Sequence, residues 1–262
     1  MAVSEELKKF RRQRASELEQ FARAINKLEN CNPYPIYQAA DQLKDFTYVP
    51  KISAQDMINY NYWGYDLEGL TFSLDPPPRH DHIGKIYNVT LRFSIKVIAD
   101  YNDFNKVRDP FKHLELNIVI SGNNILPDQK IKEVITCYHI DRHLSSDTAG
   151  EPEDIHPIYH LQYGGRFLDQ KYFDFGNTFI LHSPRIVHYP MDLILGVDFV
   201  LSNFLSSKWK EQRSIGEYVN LIREYQNYFW KPYAHTKASH WKPYEQRLIE
   251  WSPIQIWPNL MN

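Results

Sequence analysis

The 262-residue sequence is short of the residues that identify several common classes of protein. Its two cysteines, Cys31 and Cys137, are too few for a disulfide framework or a thiolate zinc site, which favours a reducing, cytoplasmic location. The absence of an apolar run of about 18 residues argues against a membrane-spanning helix, and residues 1–14 lack the apolar core of a secretion signal. The net charge of −2 gives no overall field that would attract nucleic acid or an acidic membrane.

Glycine is also scarce, with 10 residues, and the chain lacks the short motifs of well-known active sites. Because it has neither a Gly-x-x-x-x-Gly-Lys phosphate loop nor a Gly-x-Gly-x-x-Gly dinucleotide loop, nucleotide hydrolysis is not expected. The Gly-x-Ser-x-Gly elbow and the His-Glu-x-x-His zinc motif are absent as well. What the sequence does contain in quantity is aromatic residues, at 15%, and histidine, at 11 residues.

The N-terminal residues predict an amphipathic helix over residues 4–29. Ser4 can accept hydrogen bonds from the amides of the first turn, and apolar residues follow it mostly three or four positions apart. Two prolines shortly after this segment end the helix. We interpret Arg11, Arg12 and Arg14 as part of its solvated face.

Alternation of apolar and polar residues in the middle of the chain predicts a β-sheet. The connections of about 10 to 13 residues lack a helical pattern, so we expect an antiparallel meander of four or five strands. The polar residues 121–124 are expected to turn the chain after the third strand. The predicted strands cover residues 69–74, 87–99, 113–120 and 131–139, with a short further strand at 178–182.

The pattern becomes helical again after residue 190. The dominantly apolar segment 190–206 predicts the most buried helix of the protein, and residues 214–228 predict a further amphipathic helix. The tail 230–262 contains four prolines and is expected to be extended and docked. No linker rich in glycine and serine divides the chain. The predicted fold is therefore α+β, a single domain over 1–262 with a four- to five-stranded antiparallel meander packed against N-terminal and C-terminal helices.

Residues that can bind metals alternate at the end of the fourth predicted strand, where they would share one face. They are Cys137, His139, Asp141 and His143, and His156 and His160 follow them in the chain. One hypothesis is therefore a metal-dependent hydrolase or nuclease that uses His139, Asp141, His143, His156 and His160. In it, a divalent metal such as zinc or manganese is held by His139, His143 and His160. The spacing matches no established zinc signature, however, and the same histidines would also suit the polar end of a sheet.

Charge is distributed unevenly along the second half of the chain. Residues 141–174 contain seven acids and three bases, whereas residues 208–247 contain eight bases and four acids. The basic segment also contains the tetrapeptide Trp-Lys-Pro-Tyr twice, at 230–233 and 241–244. Cations and aromatic rings together can bind a protein partner or single-stranded nucleic acid, or can simply form core and rim. The candidate partner-binding residues are Trp209, Tyr228, Trp230, Lys231, Tyr233, Trp241, Lys242 and Tyr244.

The order of predicted elements resembles the ubiquitin-conjugating-enzyme fold over about residues 4–206. Ile155-His156-Pro157 resembles the start of that family's active-site motif, although Ile158 stands in place of the usual Asn, and the segment from Pro190 is similar to the family's next helix. The family's thioester cysteine follows the His-Pro pair, but no cysteine occurs after Cys137. The resemblance therefore implies an inactive variant that binds partners.

The leading functional hypothesis from the sequence is a non-catalytic binding or adaptor protein, without a cofactor, that acts in a protein complex. The glycine-poor, aromatic and histidine-rich composition also resembles that of bacterial defence and mobile-element proteins. The alternatives are the metal-dependent hydrolase or nuclease described above and single-stranded nucleic-acid binding through residues 208–247. No membrane association is expected.

Overall fold

The computed structural model describes residues 3–28, 31–51, 60–74, 86–105, 109–126, 128–142, 157–164, 168, 185–238 and 260. It confirms the predicted α+β class, with an antiparallel meander sheet and helices from both ends of the chain. The strands are β1 (Tyr62–Ser73), β2 (Ile86–Asp100), β3 (Phe111–Ile125), β4 (Ile131–Arg142), β5 (Tyr159–Tyr163) and β6 (Ile186–Val187). The helices are α1 (Glu5–Ile25), α2 (Tyr34–Lys44), α3 (Tyr101–Asn105), α4 (Leu193–Phe204), α5 (Ser206–Gln212), α6 (Gly216–Tyr225) and α7 (Lys231–Ala238). A π-helical turn, Gln226–Trp230, joins α6 to α7.

The six strands lie in the order β1 to β6, and each is antiparallel to its neighbours. The sheet is thus larger than the predicted four or five strands, because β5 and the two-residue β6 extend it. The strand expected at residues 178–182 lies outside the described residues. Alternate residues of β2 and β3 face an apolar core, among them Phe93, Leu116 and Ile118, which are fully buried.

β1 begins at Tyr62, well before the predicted start at residue 69. The period-two pattern is broken because the register with β2 shifts between Leu67 and Leu70, where Gly69 adopts a φ of 76°. Gly64 brings β1 close to β2, since a Cβ atom at this position would lie 2.0 Å from the carbonyl oxygen of Val97. Because of this bulge, the first half of β1 does not continue the alternation of its second half, and strict alternation does not predict it.

β3 runs to Ile125, so the turn predicted at residues 121–124 is wrong. Asn123 and Asn124 pair with Glu133 and Lys132 of β4, and the chain turns after Ile125 instead. There Gln129 has a φ of 66°. The local turn preference of a Ser-Gly-Asn-Asn segment is overridden because strands on both sides satisfy its backbone hydrogen-bonding groups.

The predicted N-terminal helix is confirmed as α1, and the side chain of Ser4 accepts a hydrogen bond from the amide of Leu7 at 3.2 Å. The expectation that its three arginines are solvated is wrong for Arg11 and Arg14, which are buried, whereas Arg12 is exposed. Arg11 is buried because its guanidinium group donates to carbonyl oxygens of the last turn of α2 and of the residues after it. A long cation can be buried only where it finds such acceptors.

Arg14 is buried in a polar cluster between α1 and the α6–α7 segment. Its Nη2 lies 2.7 Å from Oε1 of Glu17 and 3.2 Å from the hydroxyl of Tyr228. The hydroxyl of Tyr225 donates to the other carboxylate oxygen of Glu17 at 2.8 Å. Burial raises the pKa of Glu17, although the Arg14 cation opposes that rise. The cluster ties the two ends of the described chain together.

The apolar segment 190–206 forms α4, which is almost entirely buried, as predicted. Asp192 caps it by accepting a hydrogen bond from the amide of Leu195 at 3.1 Å. α4 lies directly on the apolar face of the sheet, since a Cβ atom at Gly196 would come within 2.6 Å of Leu116 and 3.0 Å of Phe93. The second predicted helix, 214–228, forms as α6 and the π-helical turn.

The expectation of an extended tail is wrong for residues 231–238, which form α7. The residues from 239 onwards lie outside the described part of the chain, apart from Leu260. No helix within the described ranges is long and apolar enough to cross a membrane.

Candidate metal centre

Polar side chains of β3, β4 and β5 meet on the face of the sheet opposite α4. Ile140 is fully buried on the core side, so His139 and Asp141 on either side of it point to the other face. His160 lies directly opposite Asp141 on β5, and paired residues of an antiparallel sheet share a face. Simple strand geometry therefore brings together three residues that are far apart in the chain.

One possible ligand atom from each of His139, Asp141 and His160 lies within 4.8 Å of the others. Nε2 of His139 is 3.3 Å from Oδ2 of Asp141, and the two imidazole rings stand at 80° with their centroids 6.1 Å apart. Metal–ligand bonds to imidazole nitrogen and carboxylate oxygen are about 2 Å long, so two ligands of one ion lie at most about 4 Å apart. The separation of His139 and Asp141 is within this limit, whereas donors close to 4.8 Å apart would have to move inward by a few tenths of an ångström to bind the same ion. The three residues thus form a compact set of donors.

His160 is held in one orientation by the backbone. Its Nδ1 lies 3.3 Å from the carbonyl oxygen of Pro157, which can only accept, so this nitrogen carries the hydrogen. In the neutral ring Nε2 then keeps its lone pair, which is the form that binds metals. The side chain is also 4% exposed, so its position is fixed by packing as well.

The strand ends beside the cluster are fixed by a shared acceptor. Arg142 and Tyr159 pair across β4 and β5, and both donate to the carboxylate of Asp109, Arg142 through Nε at 3.0 Å. Burial, followed by the Asp109 charge, raises the pKa of Tyr159 well above its ordinary value, so its hydroxyl keeps the donated proton. This contact lies directly beside the pairing of His160 with Asp141.

A second carboxylate lies on the adjacent strand. Glu115 of β3 is directly opposite Asp141 of β4, and Asn117 is directly opposite His139. The side-chain amide of Asn117 donates to Oε1 of Glu115 at 3.0 Å, and Nε2 of His113 is 3.8 Å from Oε2. The polar face therefore contains histidines and carboxylates from three neighbouring strands.

The structure brings together three of the five predicted catalytic residues. His139, Asp141 and His160 converge, whereas His143 and His156 lie outside the described residues, so the predicted ligand set His139, His143 and His160 is only partly placed. Sequence reasoning missed Glu115, Asn117 and His113. Their signal was present, because they are the polar positions that alternate with the apolar residues of β3.

The predicted partner-binding residues are spread between core and surface. Trp230 is a core residue, 4% exposed, and its Nε1 donates to the carbonyl of Pro190 at 2.8 Å. Trp209 is half-buried and donates to Asp198 at 2.7 Å. Tyr228 and Tyr233 are half-buried, Lys231 is exposed, and Trp241, Lys242 and Tyr244 lie outside the described residues. Binding of a protein partner or of single-stranded nucleic acid by this segment stays a prediction.

Comparison of the chain with models of protein families, with curated proteins and with solved structures gave no match. The resemblance to the ubiquitin-conjugating-enzyme fold also stays a prediction, since only Pro157 of its His-Pro motif is described. Functional inference for this chain therefore depends on the geometry of the site itself.

Proposed function

We propose that this protein is a metal-dependent hydrolase whose metal centre consists of His139, Asp141 and His160. The observation that supports it is the convergence of one donor atom from each residue within 4.8 Å on one face of the sheet. Three protein ligands that leave a coordination position open for water are the arrangement of catalytic rather than structural zinc sites. The same donor types also suit manganese and other divalent transition metals.

Two carboxylates lie on the same face at the cluster, and such a pair suits a bound cation. Glu115 and Asp141 are directly opposite each other on β3 and β4. The carboxylate of Glu115 accepts from Asn117 and lies 3.8 Å from Nε2 of His113, and that of Asp141 lies 3.3 Å from Nε2 of His139. A divalent cation at the cluster would be attracted by the two neighbouring negative charges.

The centre is accessible enough to meet a substrate. The side chains of Asp141 and His139 are 32% and 15% exposed, whereas His160 is buried behind them. A divalent metal held here would lower the pKa of a bound water to about 7 and so supply hydroxide at neutral pH. Hydrolysis of an ester or phosphodiester is the reaction class that such a nucleophile serves.

We also infer a cytoplasmic location, because Cys31 and Cys137 are both thiols.

Metal binding by purified protein tests this proposal. After treatment with a chelator, titration with zinc or manganese should give about one equivalent per chain, and His160→Ala should retain less than about 0.1 equivalent. His235→Ala is the matched control, because His235 is exposed on α7, and it should bind metal as the wild type does. Asp141→Asn provides a second variant with almost unchanged shape. Absence of binding to wild-type protein, or equal binding by all variants, would refute the proposed centre.

A further inference from the structure

Glu115 lies one strand away from the proposed metal ligands and on the same face. It is directly opposite Asp141, and adjacent strands are about 4.8 Å apart. The side chain of Glu115 is 28% exposed, so its carboxylate faces the same partly open surface as that of Asp141. Its position is therefore set by the sheet register rather than by a loop.

The distances between donor atoms do not include Glu115 among the proposed metal ligands. Among the described residues, the set of donor atoms within 4.8 Å of one another comprises His139, Asp141 and His160, and Glu115 is outside it. A water bound to a metal at about 2 Å can donate a hydrogen bond of about 2.8 Å. A carboxylate that is too distant to bind the ion can therefore still contact the water that the ion holds.

The orientation of the Glu115 carboxylate is fixed by its own strand. The side-chain amide of Asn117 donates to Oε1 at 3.0 Å, and Asn117 is itself only 7% exposed. Nε2 of His113 lies 3.8 Å from Oε2 on the other side. A carboxylate held in this way loses less rotational freedom when it accepts a proton, which is what an effective general base needs.

We infer that Glu115 is the general base of the reaction, an assignment that rests on the proposed metal centre. With a metal held by His139, Asp141 and His160, Glu115 would take one proton from a water at the centre, and the oxygen of that water would form a bond to the carbonyl carbon or phosphorus of the substrate. The bond between that atom and the leaving oxygen would break, and Glu115 would return its proton to that oxygen, which leaves as the alcohol. One water and one ester thus give one acid and one alcohol.

Substitution of Glu115 by Gln tests this role, with zinc-loaded protein and two probes, 4-nitrophenyl acetate and bis(4-nitrophenyl) phosphate. Glu115→Gln should keep the zinc stoichiometry of the wild type but lose about 10²- to 10⁴-fold in kcat/KM, the usual contribution of a general base. Glu115→Asp, which keeps a carboxylate at this position, should retain more of the kcat/KM than Glu115→Gln does. The matched control is Glu133→Gln. Glu133 is exposed and lies on β4 eight positions before Asp141, on the same face of the strand as Asp141.

Each outcome decides between the two proposals. Full activity of Glu115→Gln would overturn the role of Glu115 and leave the hydrolase intact. Loss of zinc from Glu115→Gln would show that the residue is a ligand and not a base. Wild-type protein that binds zinc but hydrolyses neither probe would overturn both the base and the hydrolase, because reactive esters do not require substrate specificity. Wild-type protein that binds no zinc would remove the metal centre on which the assignment rests.

Discussion

Arg11 is a buried cation that completes the end of a helix. Its guanidinium group donates to the carbonyls of Gln42, Leu43, Asp45 and Tyr48 at 2.7 to 3.0 Å. Burial lowers its pKa to about 10, so it remains protonated at neutral pH. These acceptors belong to the last turn of α2 and the residues after it, where the helix dipole also favours a cation.

Replacement of Arg11 by Met should therefore destabilise the protein strongly. Four carbonyl oxygens would lose their donor, that of Leu43 in a buried contact and the others in partly buried ones. A buried loss costs about 1–3 kcal/mol, so with the partly buried ones we expect the free energy of unfolding to fall by about 3 kcal/mol. Arg12→Met is the matched control, because Arg12 is exposed one position along α1, and should change it by less than about 1 kcal/mol. Urea denaturation measures both. Equal losses in the two variants would contradict the role of Arg11.

The candidate site was partly predictable from single residues. The alternation of His139 and Asp141 along one strand is enough to place them on one face, because the side chains of a strand alternate. The approach of His160 was not predictable in the same way, since it depends on the register between β4 and β5. Glu115 was missed because alternation places it on the polar face of β3 but does not show that it lies opposite Asp141. Residue type identified the donors, and strand pairing identified the site.

At the level of elements, the packing of α4 against the sheet includes a close approach at Gly196. Gly196→Ala would place a Cβ atom 2.6 Å from Leu116 and 3.0 Å from the Phe93 ring, which is packed in the core. We expect a loss of about 1–3 kcal/mol in the free energy of unfolding despite the better helix propensity of alanine. Gly216→Ala, in the first turn of α6, meets no atom within 4 Å and should be neutral or stabilising by up to about 1 kcal/mol. Thermal denaturation of both variants checks this, and a stabilised Gly196→Ala protein would contradict the packing.

Most elements could be predicted from periodicity, and the exceptions have physical causes. Strong apolar alternation in β2 and a continuous apolar segment in α4 fixed their type and approximate bounds. The first half of β1 was missed because a bulge interrupts its period, and the end of β3 was missed because turn-forming residues were paired on both sides. The helix after Trp230 was missed because proline suggested an extended chain, whereas the chain continues from the π-helical turn Gln226–Trp230 through Pro232 in helical conformation.

For the whole molecule, the sheet separates two environments. One face packs against α4 in an apolar core, while the other presents the donors of the metal centre. The aromatic residues that suggested a free binding tail are divided between these environments, and Trp230 belongs to the core. Composition could not reveal this division, because exposed and buried tryptophans look the same in a sequence.

The most direct test of this account is a crystal structure of the protein soaked in zinc, with diffraction measured on both sides of the zinc absorption edge. We predict one strong anomalous peak about 2 Å from a nitrogen of His139, a nitrogen of His160 and an oxygen of Asp141. A peak bound only by other residues, or no peak in crystals soaked at saturating zinc, would contradict the central claim.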